Sequence, residues 1–259
     1  MPSATLRSTR LLAIVAAIAI VLATLAVGLV AAPPADAAQP VPGHTGLVPS
    51  TPRTNTPRIS TGEIWDIEVV GQRVFIAGTF SSLQNTTGNT AVVNQRYLAS
   101  YNWSTGLIDT AFRPTFGGGG VTAVEASPDG TKLYVAGSFN TVNGVTKRKI
   151  ASLNLTTGAP VAGFTANASA QATALAATNS TLYVGGNFQT VNGTARVGLV
   201  AVNGATGAVV PGFVNNMSGG IGVNGMLTVQ QLKLTHDDTK LLVVTPAARS
   251  PTRTATASA

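Results

Sequence analysis

One eleven-residue pattern occurs twice in the chain and decides its fold. Residues 134–144 read YVAGSFNTVNG, and residues 183–193 read YVGGNFQTVNG. A shorter form, FIAGTF, occupies residues 75–80. The three copies share one glycine, which stands at Gly78, Gly137 and Gly186. Self-similarity at a spacing of 59 and then 49 residues (78 to 137, 137 to 186) indicates a repeat architecture.

Two further landmarks follow each copy in a constant order. A Thr-Gly turn ends at Gly106, Gly158 and Gly207. A phenylalanine stands six residues beyond each of these glycines, at Phe112, Phe164 and Phe213. Three landmarks in the same order predict three copies of one structural unit, with bounds near 62–116, 117–168 and 169–216.

Each copy predicts a short antiparallel meander. Residues 121–126 alternate between apolar and polar side chains, as a half-buried strand does, and a Pro-Asp-Gly turn follows them. The next strand contains Gly137, which we expect where two backbones approach closely. Asn143 and Asn192, each followed by glycine, predict tight hairpins before a third strand. The Thr-Gly turn and a short fourth strand complete the unit.

The same pattern begins a fourth time and then stops. Residues 240–244 match the second strand, but Thr245 stands where glycine is expected and Pro246 follows in mid-strand. We therefore predict a partial fourth copy over residues 226–244 and a disordered tail over residues 245–259. The abrupt loss of pattern favours a truncated or frameshifted C-terminus, and a natural, shortened C-terminus is the alternative.

The predicted fold class is all-β. Short strands in repeats of 40–60 residues favour an incomplete β-propeller of about three four-stranded blades plus part of a fourth, preceded by a signal helix and a Pro-rich linker. Propellers typically close with about 4–8 blades. Three and a half blades leave open edges, so we expect the chain to be poorly stable alone or to associate with itself.

The N-terminal segment predicts export. Two arginines in the first ten residues precede an apolar run over residues 11–30, and Ala35 and Ala37 form a small-x-small cleavage site. We predict a signal peptide over residues 1–37 and a secreted, extracellular protein. The alternative is an uncleaved membrane anchor, because the run is long enough to span a bilayer. Residues 38–61 are rich in proline and predict a disordered linker.

The composition excludes several kinds of chemistry. The 259 residues include no cysteine and two histidines, and only 10% are charged, against about 25% in a typical domain. Disulfides, thiolate nucleophiles and cysteine-ligated metals are therefore excluded. The formal net charge is +7, but the basic residues are scattered. Their one dense cluster, residues 147–149, has no aromatic stacking motif, so we predict a solvated loop or strand end and no nucleic-acid partner; attraction to an anionic cell envelope is the alternative.

The remaining polar motifs predict no catalytic, cofactor-binding or metal-binding residue. Asp66 and Glu68 lie two apart on one predicted strand, where a solvent-facing role is favoured over a hydrolytic carboxylate pair. Four glycines at residues 117–120 lack the lysine and helix of a phosphate loop and predict an inter-blade connection. Asp129 lies in a turn without calcium-loop spacing, and His236 has no nucleophile motif beside it.

The repeated motif resembles the bacterial delta-60 repeat β-propeller domains. The resemblance covers about residues 64–244 and is carried by the copies at residues 134–144 and 183–193. It implies an exported blade-repeat protein, often joined to extracellular or carbohydrate-associated modules. It implies no established catalytic residue, so none is carried over.

Together these features predict a secreted, non-enzymatic binding or scaffold module of the bacterial cell envelope, with unknown binding residues. Its expected partners are an envelope polysaccharide or protein, and a membrane only if the leader is retained. The alternative is a fragment of an extracellular carbohydrate-active hydrolase or lyase with its site on the propeller mouth. In that case Asn143, Arg148 and Arg196 would bind an acidic or sugar substrate, although Asn143 is first expected to form a turn.

Overall fold

The computed structural model is built entirely of β-strands, turns and loops in the part of the chain that it describes. The described residues are 53–88, 90–215, 217, 227–245 and the backbone of 254–255. No helix in these residues is long and apolar enough to cross a membrane. The predicted signal peptide lies outside the described residues.

Twenty short strands follow one another along the described chain. They are β1 (Arg58–Ile59), β2 (Ile64–Val70), β3 (Arg73–Gly78), β4 (Leu83–Gln84), β5 (Val92–Val93), β6 (Leu98–Asn102), β7 (Phe116–Gly117), β8 (Val121–Ala126), β9 (Lys132–Gly137), β10 (Thr141–Val142), β11 (Val145–Thr146), β12 (Ile150–Asn154), β13 (Ala172–Ala177), β14 (Thr181–Gly186), β15 (Thr190–Val191), β16 (Thr194–Ala195), β17 (Leu199–Asn203), β18 (Gln231–Leu234), β19 (Leu241–Val244) and β20 (Thr254–Ala255).

The predicted repeats correspond to successive antiparallel sheets. Sheet β2-β3-β6 forms repeat 1, β8-β9-β12 forms repeat 2, β13-β14-β17 forms repeat 3 and β18-β19-β20 forms repeat 4. In each sheet the second strand is central and pairs with both others. The all-β prediction and the repeated meander are therefore confirmed.

The sheets have three strands rather than the predicted four. The expected fourth strand is reduced to a single bridge in repeats 1 to 3: Tyr101–Ile108, Leu153–Pro160 and Val202–Val209. In repeat 2 the N–H of Asn154 donates to the carbonyl of Ala159 (2.8 Å), and the N–H of Val161 donates to that of Ser152 (2.8 Å). Pro160, between these bonds, has no N–H with which to extend the ladder.

Tight hairpins form at the two predicted asparagine turns. Asn143 has φ of 48° and Asn192 of 50°, and the glycine after each also has positive φ, as a two-residue type I′ turn requires. The side-chain oxygen of Asn143 accepts the N–H of Thr115 (2.8 Å), and that of Asn192 accepts the N–H of Asn167 (2.8 Å). Each asparagine therefore forms the turn, as predicted, and also ties it to the segment that enters the repeat.

The hydrophobic core lies between successive sheets. We call the face of a sheet that meets the next repeat its forward face, and the opposite face its backward face. Phe75 and Ala77 on the forward face of repeat 1 pack with Leu133 and Val135 on the backward face of repeat 2. Equivalent clusters join repeats 2 and 3, and repeats 3 and 4. Each sheet therefore depends on its neighbours for burial.

The third sequence landmark supplies an aromatic pair to each repeat. Its phenylalanine packs against the aromatic residue of the second strand: Phe75 with Phe112 (ring centroids 5.2 Å apart), Tyr134 with Phe164 (5.9 Å) and Tyr183 with Phe213 (5.5 Å). Aromatic pairs at such separations add stabilisation beyond the area they bury. The constant order of the landmarks thus has a packing reason.

The two ends of the repeat region depart from the predicted linker and tail. Strand β1 lies within predicted linker residues 38–61 and pairs with β4, and Ile59 packs against the hydrophobic cluster that contains Val74 and Ile76 of the backward face of repeat 1. At the other end, β20 lies within predicted tail residues 245–259 and pairs with β19. Residues 38–52 and most of the tail lie outside the described residues, so their disorder stays a prediction.

Candidate functional site

Ionisable side chains occupy one repeated position on the first strands. Glu68, Glu125 and Lys233 each stand opposite the same position of the central strand, the one held by Phe75 in repeat 1. Repeat 3 has an alanine there. Asp66 precedes Glu68 by two residues on β2. We call these four residues, Asp66, Glu68, Glu125 and Lys233, the first-strand cluster.

The carboxylates of the first-strand cluster join one repeat to the next. Each accepts a backbone N–H from the following repeat: Asp66 from Val124 (2.8 Å), Glu68 from Ala126 (3.2 Å) and Glu125 from Ala177. In parallel, the hydroxyl of Thr122 donates to the carbonyl of Ala172 (2.7 Å) in the next repeat. The cluster is therefore part of the joint between sheets.

Asp66 and Glu68 were predicted to face solvent, and the structure shows that they do not. They lie on the same side of β2, as their spacing requires, but that side meets repeat 2 and leaves both half-buried. The exposed residues of this strand are instead apolar, among them Ile67 and Val69. The reason is that no repeat precedes β2 in the described residues, so side chains that would be covered in an internal repeat are open.

Burial changes the protonation of the cluster. Desolvation, with a smaller contribution from the charge of Glu68, raises the pKa of Glu125 to about 7. Desolvation also raises the pKa of Asp66 and Glu68, while the charge of Lys233 opposes the increase at all three carboxyls. Glu125 and Lys233 line a cleft of about 240 Å³. This cluster can hold a proton at neutral pH.

A second and larger cleft, of about 650 Å³, carries two arginines. We call it the arginine cleft; its lining residues are Ser81, Asn94, Gln95, Arg96, Arg113, Pro114, Thr115 and Phe116. Arg113 donates to the carbonyl of Asn94 (2.5 Å), which fixes its guanidinium group. Arg96 is exposed. Two guanidinium groups beside hydroxyl, amide and aromatic side chains suit an anionic ligand.

Sequence reasoning missed the arginine cleft, although a signal existed. Arg96 and Arg148 both stand one residue before a positive-φ position (Tyr97 and Lys149, φ 70° in each) that leads into the third strand of the sheet. Aligning the repeats would therefore have paired them. Arg113 directly follows the phenylalanine landmark at Phe112. Arg96 and Arg113 come together only in the folded chain, because they are 17 residues apart in sequence (96 to 113).

The residues predicted for a substrate site are engaged separately. The backbone N–H of Arg148 donates to the side chain of Asn167 (3.0 Å), and its side chain is exposed. Arg196 donates to the carbonyl of Ala195 (2.9 Å), while Asn143 supports its own turn. The geometry in the described residues gives these three side chains no shared partner.

Lys147 is buried, against the prediction that residues 147–149 form a solvated loop or strand end. Its Nζ donates to the carbonyls of Phe164 and of Val161 (3.2 Å). Desolvation lowers the pKa of Lys147. The carbonyl of Val161 also accepts the N–H of Phe164 (3.2 Å), so Lys147 gives Val161 a second donor and supplies one to the buried carbonyl of Phe164. Arg148 remains exposed, as predicted.

The turn carboxylates have local roles. Asp129 accepts the hydroxyl of Ser127 (2.5 Å) and the N–H of Thr131 (3.0 Å), and these bonds lower its pKa to about 2. Asp237 accepts the hydroxyl of Thr235 (2.5 Å) in the same way, with its pKa also about 2. In the described residues no group of three or more His, Cys, Asp or Glu side chains could hold a metal ion.

Comparison with known proteins found similarity among solved structures. No family model and no curated protein matches the chain. The chain is similar to the computationally designed Ika4 protein, with 12% identity over 77% of this chain and 95% of that one and a TM-score of 0.46. It is also similar to the designed Ika8 protein (12%, 71% of this chain, 43% of that one, 0.42) and to a chain of the mitotic checkpoint complex (15%, 72%, 58%, 0.40).

Proposed function

We propose that this chain is an exported, non-enzymatic binding and scaffold module of the bacterial cell envelope, of the delta-60 repeat propeller type. The successive sheets would then be three blades and part of a fourth in an incomplete propeller. The repeated motif, the stacked meanders and the predicted leader over residues 1–37 support this proposal. Retention of the leader would anchor the same module to the membrane.

The arginine cleft is the observation that carries the binding function. Arg96 and Arg113 converge there from different segments, and Arg113 is held in place by Asn94. The carboxylates of the first-strand cluster, by contrast, are engaged in joining sheets. The ligand that fits the cleft is an anionic polysaccharide, because planar guanidinium groups bind carboxylate and phosphate groups with two parallel hydrogen bonds.

Equilibrium binding to polygalacturonate, with dextran as the neutral comparison, tests this function. We expect the full chain to bind polygalacturonate, and Arg96→Ala to weaken binding about tenfold through loss of one charge-assisted contact. Arg148→Ala removes the equivalent arginine of repeat 2 and should leave the affinity unchanged. Binding should also fall steeply with salt.

Three results would overturn the proposal. They are equal affinity for dextran and polygalacturonate, an equal loss of affinity in Arg148→Ala, and absence of binding at low salt.

A second candidate, a fragment of a carbohydrate-active hydrolase or lyase, is favoured by one observation. Glu125 has a pKa of about 7 and lines a cleft, as a general acid in such an enzyme would. Release of reducing ends from polysaccharide by the full chain, abolished in Glu125→Gln, would establish this alternative. No release by the full chain would exclude it for the polysaccharides assayed.

A further inference from the structure

The backward side of the first strand in repeat 1 is uncovered. Ile67 is 56% exposed, whereas the residues at the same register position in repeats 2 and 3, Val124 and Leu175, are 3% and 6% exposed. Val69 is 55% exposed, whereas its counterpart Ala177 is 8% exposed. Ile67 and Val69 therefore occupy positions that are buried in a joint between repeats, but both are exposed in repeat 1.

The forward face of repeat 4 is uncovered in the same way. Leu242 and Val244 on β19 are 44% and 43% exposed. Their counterparts in repeat 2, Tyr134 and Ala136, are 2% and 0% exposed. The register of β18 with β19 establishes the equivalence, because Lys233 stands opposite Leu242 as Glu125 stands opposite Tyr134.

The internal joints show what each open face accepts. Between repeats 2 and 3, Tyr134 and Ala136 of the forward face pack in one cluster with Leu175 and Ala177 of the backward face. Leu242 and Val244 are the counterparts of the first pair, and Ile67 and Val69 are the counterparts of the second. The open first strand of repeat 1 is therefore complementary to the open face of repeat 4 along this part of the joint, while Val74 and Ile76 on the central strand of repeat 1 are already covered within the chain.

Charge favours the same pairing. Within the chain, Glu68 lies near Glu125 of the next repeat, and this like-charge neighbour adds to the desolvation that raises the pKa of Glu125. A joint of the same geometry that begins at repeat 4 would instead place the exposed Lys233 beside a Glu68. That neighbour has the opposite charge, so this joint is electrostatically better matched than the internal one between repeats 1 and 2.

We propose that a second copy of this chain covers the open face of repeat 4. Leu242 and Val244 of one copy pack against Ile67 and Val69 of the next, and Lys233 of the first copy pairs with Glu68 of the second. Because the two faces differ, the contact is head-to-tail and produces a ring where the rotation closes. This association rests on the scaffold role in the proposed function and gives that role a structural basis. Ligand binding at the arginine cleft does not depend on it.

Measurement of molar mass in solution tests the association. We expect the full chain to exceed its monomer mass with increasing concentration, and Ile67→Asp and Leu242→Asp each to be monomeric. Val145→Asp is the matched control, since Val145 is 50% exposed on the hairpin strand β11, and it should associate like the unaltered chain. Circular dichroism of each variant reports whether the sheets are retained.

Mixing the two monomeric variants identifies the geometry. Each variant keeps one intact face, so the mixture should form a dimer with one copy of each and nothing larger. Lys233→Glu, an exposed substitution that spares the apolar contact, should weaken association at low salt by about tenfold, since it replaces an attraction by a repulsion.

A full chain that is monomeric at all concentrations overturns the proposal, as does a mixture that stays monomeric or a single variant that still associates. These outcomes do not bear on the arginine cleft. Binding of polygalacturonate by monomeric Leu242→Asp would show that the proposed function holds even where the association fails.

Discussion

Among single residues, Glu125 is a carboxyl group whose protonation depends strongly on its surroundings. Its carboxyl group is desolvated between repeats 2 and 3 and accepts the N–H of Ala177. Burial disfavours the charged form, while the hydrogen bond favours it, and the pKa of about 7 shows that burial dominates. A carboxyl of this kind makes the stability of the fold depend on pH.

The stability of the fold should fall between pH 4.5 and about 7 because of Glu125. A carboxyl whose pKa is raised on folding binds its proton more tightly in the folded state, so its stabilising effect is present below 4.5 and is lost as pH rises to about 7. Glu125→Gln keeps an acceptor without the charge. Relative to the unaltered chain, it should gain roughly 2 kcal/mol between pH 4.5 and 8, measured by urea unfolding.

Thr156→Ser is the control for this pH dependence, because Thr156 is exposed and the substitution changes no ionisable group. Its difference from the unaltered chain should be the same at both pH values. If Glu125→Gln likewise shows no change with pH, the account given for this carboxyl is wrong.

Gly137 should tolerate no side chain. A Cβ at Gly137 would overlap the carbonyl oxygen of Gly120 in the backbone, and Gly78 and Gly186 meet the same obstacle in their own repeats. Gly137→Ala should therefore lower the free energy of unfolding by roughly 2 kcal/mol, measured by chemical denaturation. Gly163→Ala, where a Cβ meets nothing within 4 Å, should change it by less than about 0.5 kcal/mol.

At the scale of elements, turns are held by side chains that recur from repeat to repeat. The side-chain oxygens of Asn102, Asn154 and Asn203 each accept the N–H groups two and three residues later. The hairpin asparagines act over a longer range, and Asn143 also reaches the carbonyl of Gly158 (3.4 Å). Much of the polar composition of the chain is thus used to form turns.

Substitutions of Asn143 should separate the contribution of its hydrogen bond from Thr115 from that of its positive-φ backbone conformation. Asn143→Asp keeps the acceptor and tolerates positive φ, so it should have the smallest effect on unfolding. Asn143→Gly keeps the conformation but loses the bond from Thr115, at a cost of about 1 kcal/mol. Asn143→Ala loses both, and should cost about 1–2 kcal/mol more. Thermal unfolding measures the order, and an alanine variant as stable as the aspartate variant would contradict it.

Across the described repeats, apolar side chains are buried between successive sheets, and some of them are exposed on the first and last sheets. The segment of repeat 1 between β3 and β6 contributes Leu83, and strand β1 contributes Ile59, to the cluster that covers Val74 and Ile76. Ile67 on β2 and Leu242 on β19 remain open. The mixing experiment with Ile67→Asp and Leu242→Asp belongs to this scale, because only the stacking of repeats makes these two residues complementary.

The strand pattern could be predicted because its causes are local. Alternation over residues 121–126, the asparagine-glycine hairpins and the crowded glycine at Gly137 each depend on neighbours close in sequence or on the repeat itself. The fate of Lys147 could not be predicted in this way. Its burial depends on the carbonyl of Phe164, which a separate turn brings to it.

The all-β class, the repeated meander and the turn residues were determined by sequence alone, since backbone conformation and side-chain period are local properties. Only the tertiary structure decided which face of each sheet is covered. For that reason Asp66 and Glu68 are half-buried between sheets, Ile67 beside them is exposed, and Arg96 meets Arg113 in one cleft. Burial depends on what packs against a strand, and a strand's own residues do not specify it.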